Sequence, residues 1–80
     1  AILSLKTEED CARFFEDVAT IGEVQAMAQR LHVAKLLNDG CKYSDVAEVT
    51  GASTATISRV SRCLTYGADG YKLVLGRLEK

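Results

Sequence analysis

From Gly51 to Ala68 the chain carries hydroxyls and arginines and not one carboxylate. Ser53, Thr54, Ala55, Thr56, Ser58, Arg59 and Arg62 are the residues in this stretch whose types suit contact with double-stranded DNA. Arginine donates to the acceptors on guanine, Ala and Thr meet the thymine methyl, and hydroxyls serve bases or phosphates alike. A surface facing phosphates excludes acids because the backbone would repel them. Arg59 and Arg62 are expected chiefly to anchor phosphates, with Thr54, Ala55, Thr56 and Ser58 nearer the bases.

Other chemistry is poorly served. No Ser-His-Asp set, phosphate loop or carboxylate pair is visible, so no enzyme is expected. His32 is the single histidine, and the next helical turn offers Lys35 and Leu36 rather than ligands, so no metal site is expected. Cys11, Cys41 and Cys63 are odd in number and form no C-x-x-C pair, so neither a disulfide framework nor a zinc site is expected, which suits a reduced, cytoplasmic setting. Cys41 has only Lys42 beside it to favour a thiolate, and Cys63 reads as a packed thiol.

Presenting the 53–62 set requires a rigid mount, and residues 43–64 have the pattern of a helix-turn-helix. Val46, Ala47 and Val49 belong to a short first helix. Gly51 supplies a left-handed turn residue, and Ser53 caps a second helix from Thr54 to Leu64. Ile57 and Val60, three apart, point inward against Val46 and Ala47. The opposite side of that helix then faces out.

The remaining elements read as helices too. Thr7 and Asp10 resemble a capping box with the shorter acid, opening a helix whose apolar stripe is Cys11, Phe14, Phe15 and Val18. Thr20 and Glu23 form a second box before the longest helix, which Gly40 stops. Val24, Met27, Ala28, Leu31, Ala34 or Lys35 and then Leu37 or Asn38 mark one side of it, while Val33 and Leu36 lie off that line, a width that implies packing on two sides. Ile2, Leu3 and Leu5 are expected to close an N-terminal helix as core residues. Residues 65–70 read as a linker, with Asp69 capping a last helix striped by Tyr71, Val74, Leu75 and Leu78.

An all-α domain spanning residues 1–80 follows, with too few residues for a thick core. Small domains add disulfides, metals or a second chain, and only the last is open here. The net charge of −1 conceals a split: residues 1–50 hold five basic and nine acidic side chains, a sum of −4, and residues 51–80 hold five and two, a sum of +3. A local positive surface suits docking on phosphates. No apolar run reaches the length of a membrane span.

The runs GASTATISR (Gly51 to Arg59), AQRL (Ala28 to Leu31), LLNDG (Leu36 to Gly40) and YGADGY (Tyr66 to Tyr71) resemble the tryptophan-repressor superfamily, within it the YerC/YecD branch. The resemblance covers nearly the whole chain. It implies a bacterial transcription regulator of the repressing kind, built as an intertwined all-helical homodimer. As in dimeric helix-turn-helix proteins generally, the tryptophan repressor among them, half-sites would lie about 34 Å apart. It also implies a ligand slot, since Arg30 and Arg59 match the two arginines that hold the repressor's amino-acid corepressor. Val60 stands where that repressor has glycine, and its side chain takes part of the space an indole needs. Tryptophan is therefore not expected as a cofactor, leaving Arg30 to pair with an acid and Arg59 to meet phosphate. The competing reading is a helical dimerisation module whose helix-turn-helix binds a protein partner.

Overall fold

The helices that begin after Thr7, Thr20 and Ser53 are opened by side chains that satisfy free backbone N–H groups. A computed structural model describes residues 1–79, with α1 at Glu8–Val18, α2 at Ile21–Asn38, α3 at Tyr43–Thr50, α4 at Thr54–Tyr66 and α5 at Gly70–Leu78. Thr20 Oγ1 accepts from the Glu23 N–H (3.1 Å) while the Glu23 carboxylate accepts from the Thr20 N–H (2.8 Å), the reciprocal box expected at α2. At α1 the reciprocity is displaced by one residue. Thr7 Oγ1 accepts from the Asp10 N–H (3.0 Å), but the shorter Asp10 side chain accepts from Lys6 (3.2 Å) rather than from Thr7.

α2 ends at a left-handed Gly40 (φ 90°). The Gly40 N–H donates to the Leu37 carbonyl (3.0 Å) and the Cys41 N–H to that of Leu36 (3.0 Å). This is a Schellman closure, and Leu36 and Cys41 both pack on the core beside it.

The core gathers around the helix-turn-helix and the second half of α2. Val33 and Ala34 of α2, Val46 of α3, Ala52 of the turn, Ile57 and Val60 of α4 and Leu75 of α5 are buried together. α2 touches α3, α4 and α5 and so serves as their common spine. Its buried residues are Val33, off the line that the sequence favoured, and Ala34, on it, while Val24 and Met27 of that line remain exposed.

Four expectations need correction. Cys63 is exposed rather than packed. Ile2–Ser4 form a single 3-10 turn instead of the end of a core helix, and Leu3 is 99% exposed. Asp69 occupies the cap position of α5 but does not cap, because it takes a left-handed conformation (φ 63°) with no side-chain hydrogen bond. α4 runs past Leu64 to Tyr66, so part of the expected linker is helical. Nothing before Gly67 interrupts it, and Gly67 itself is required by contact, since a Cβ there would run into the Cys63 carbonyl.

The apolar stripes of α1 and α5 are only partly covered. No residue of α1 is buried, its Phe14 and Phe15 rings packing edge to face 5.3 Å apart, and Val74 and Leu78 of α5 are exposed. The chain exposes 6209 Å², against about 4,700 Å² for a folded monomer of this mass. Its radius of gyration is 13.7 Å, where a compact chain of this length gives about 11.6 Å.

Gly51 (φ 72°) has open space around its would-be Cβ, so only the backbone opposes a side chain. Gly51→Ala should lower stability by about 1–2 kcal/mol, read as a fall in Tm on thermal melting. The Thr20 N–H and hydroxyl hold the Glu23 carboxyl below its ordinary value. Its folded value thus lies under its unfolded one, so the contribution is complete above the unfolded carboxylate range and is lost as pH falls through the depressed value. Glu23→Gln keeps the reciprocal bond and should show a shallower fall of Tm on acidification than the parent chain.

Candidate nucleic-acid interface

The turn between α3 and α4 is fastened at several points. The Gly51 N–H donates to the Ala47 carbonyl (2.9 Å). Thr50 Oγ1 donates to the Val46 carbonyl (2.7 Å) and accepts from the Ala52 N–H (3.1 Å). Gln29 of α2 reaches across to donate to the Thr50 carbonyl (3.2 Å), tying the turn to the spine. Ala52 is buried in the core, where its small side chain lets the turn sit against the helices. Gln29, Thr50 and Ala52 were not legible as contributors: an isolated amide or hydroxyl at a helix end carries no periodic signal, and Ala52 lies outside both helices.

Beyond the turn, Ser53 Oγ accepts from the Thr56 N–H (3.2 Å) and bonds the Thr56 hydroxyl (3.1 Å). These two hydroxyls are therefore occupied in opening α4. Ile57 and Val60 are buried, as their spacing required. On the other side Thr54, Ala55, Arg59 and Arg62 are exposed, while Thr56 and Ser58 are half-buried and contribute less open surface than expected. Ala55, Ser58, Arg59 and Arg62 recur at i, i+3, i+4, i+7 and so share one face of α4.

The electrostatics of this face are simple. α4 has no acid in its first turn, so nothing in its own sequence offsets the positive end of the helix dipole. Among the described residues the ion pairs are Glu9–Arg13 (3.1 Å) and Lys35–Asp39 (3.0 Å), and Arg59 and Arg62 are in neither. Both guanidiniums are free to meet an anion from outside.

Arg30 and Arg59, the two residues of the expected ligand slot, stand on different helices. Arg30 is half-buried on α2 and Arg59 exposed on α4. Among the described residues Arg30 has no acid within 4.0 Å, so the pairing expected for it is not made. Neither arginine lines any of three clefts of about 510, 330 and 480 Å³. Val60 is 1% exposed and packed into the core. Among the described residues no three His, Cys, Asp or Glu side chains converge as a metal site, and no helix is long and apolar enough to cross a membrane.

Residues 1–79 match the family model described as Trp repressor protein. The chain belongs to the Trp repressor family. It is 55% identical over 80 residues to the uncharacterized protein YerC of Bacillus subtilis (strain 168), covering 100% of this chain and 77% of that protein. Its fold superimposes on a crystal structure of a TrpR-like protein from Eubacterium eligens ATCC 27750 with a TM-score of 0.94, at 57% identity, over 99% of this chain and 81% of that one. A candidate Trp repressor from Staphylococcus aureus gives a TM-score of 0.93 at 46% identity, over 98% and 78% of the two chains. The Trp repressor family is regulatory rather than enzymatic, and the chain is not an enzyme.

The Ser53 hydroxyl serves as a cap whatever else it contacts. Ser53→Ala should cost about 1 kcal/mol in urea unfolding, whereas Ser53→Asp should stay close to the parent chain because Asp caps about as well as Ser.

Proposed function

We propose that the chain is a sequence-specific DNA-binding transcriptional regulator, a repressor by type, acting as a homodimer. The observation that carries this reading is the face of α4: two exposed arginines without an ion-pair partner among the described residues, alongside Thr54 and Ala55, on a helix with no carboxylate. Thr54, Ala55 and Ser58 meet base edges and Arg59 and Arg62 meet phosphates, with Ser53 and Thr56 holding the start of the helix in place. Membership of the Trp repressor family supports the same reading.

The homodimer is supported by surface. The excess over a compact monomer is about 1,500 Å² per chain, and doubled it falls in the range of permanent dimer interfaces, about 2,000–5,000 Å². The exposed Val18, Ile21, Val24 and Met27 and the exposed Val74 and Leu78 are the apolar residues such an interface would take from water. Tryptophan is not the effector in this reading, because Val60 fills its place with a buried side chain. A regulator of this kind works in the cytoplasm, beside the bacterial chromosome.

Selection of bound duplexes from a random pool tests the proposal. The expected product is a pair of related half-sites about 34 Å apart, one for each protomer. On such a duplex Arg62→Ala should weaken binding evenly across sequences and lower the salt slope by about one. Recovery of no preferred sequence, with no salt-dependent binding at all, would overturn the DNA reading in favour of a protein-docking module.

A further inference from the structure

The cleft of about 480 Å³ differs in chemistry from the other two. It opens where the end of α2, the start of α3, the second half of α4 and the start of α5 meet. Asn38, Tyr43, Ser61, Thr65 and Lys72 give it polar groups, and no carboxylate lines it. The 510 Å³ cleft is lined by residues such as Leu31, Tyr71 and Val74, and the 330 Å³ cleft by Phe15, Ile21 and Val24 together with Glu16. Those two suit apolar cover, whereas the third is suited to an anion.

Its donors are largely uncommitted. Among the described residues the side chains of Asn38, Tyr43, Ser61 and Lys72 have no hydrogen-bond partner, and Thr65 Oγ1 makes one bond, to the Ser61 carbonyl (3.2 Å). The cleft is also continuous with the recognition face. Ser58, Ser61, Arg62 and Thr65 recur at i, i+3, i+4, i+7, so one edge of α4 leads from that face into the cleft. The distance is seven residues, about 10 Å at 1.5 Å per residue.

We propose that this cleft seats the phosphate backbone flanking the groove that α4 enters, with Lys72 as its charged contact and Tyr43, Ser61 and Thr65 as neutral donors. The proposal rests on the DNA-binding reading above and extends the interface beyond α4 to α3 and α5. Contacts of this kind fix orientation and register on the duplex and carry no sequence information themselves. An open, donor-lined cleft without acids fits a charged strand laid along the protein better than an enclosed small molecule.

The test is a salt titration of binding to a selected duplex, comparing the parent chain with Lys72→Ala, Lys72→Arg and Arg77→Ala. Arg77 is exposed on α5 and lies outside the cleft, so its loss changes the net charge equally. Lys72→Ala should lower the slope of log K against log salt by about 0.9, the release expected for one phosphate. Lys72→Arg should retain the parent slope, and so should Arg77→Ala. Thermal melts of all variants should match the parent, because surface changes of this kind are nearly neutral. An unchanged slope in Lys72→Ala, with parent binding intact, overturns the seat alone. Equal losses in Lys72→Ala and Arg77→Ala also overturn it, by reducing the effect to general charge. Absence of salt-dependent binding in the parent chain overturns the DNA reading and the seat with it.

Discussion

The structure depends on the seating of Ile57 and Val60 against Val33, Ala34 and Val46. These side chains join α4 to the spine and to its partner helix at one place, and every exposed residue of α4 takes its direction from that contact. Burying a side chain of this size is worth about 1.5–3 kcal/mol, so a few such residues contribute a large fraction of what a small domain has. The buried cluster is almost wholly aliphatic, and it contains no buried polar or charged residue. Ala52 and Ala34 complete it by being small enough to let the turn and the spine approach.

That contact needs the chain to reverse sharply between α3 and α4, and the reversal is secured by polar groups. Gly51 provides the left-handed backbone, the Thr50 hydroxyl bonds on both sides of it, and Gln29 fixes the Thr50 carbonyl from α2. Apolar burial holds the helices together here, and hydrogen bonds fix the angle at which they meet. Among the described residues the Arg59 and Arg62 side chains make no ion pair, and neither belongs to the buried cluster.

Much of this was legible in the residues. The box at Thr20 and Glu23, the stop at Gly40, the turn at Gly51 and the inward pair Ile57 and Val60 all follow from local chemistry that a few neighbouring residues determine. Elements defined by distant contacts were harder to read. Val33 proved more deeply buried than Val24 because α3 and α4 pack on the second half of α2, which no periodicity within α2 can announce. Asp69 has the right type for a cap, yet it takes a left-handed conformation and its side chain makes no hydrogen bond to the helix. At the candidate interface the face of α4 could be read from spacing. The commitment of the Ser53 and Thr56 hydroxyls to each other, and the carboxylate-free cleft near Lys72, arise only when the helices are assembled.

The lack of any buried residue in α1 also bears on motion. Local opening is easiest where few apolar contacts must be broken, and amide exchange follows the same order. In a lone chain, amides of α1 would exchange with solvent long before those around Val33 and Ile57. The helix-turn-helix would thus keep its shape while the first helix opened and closed, giving one short sequence two tiers of rigidity.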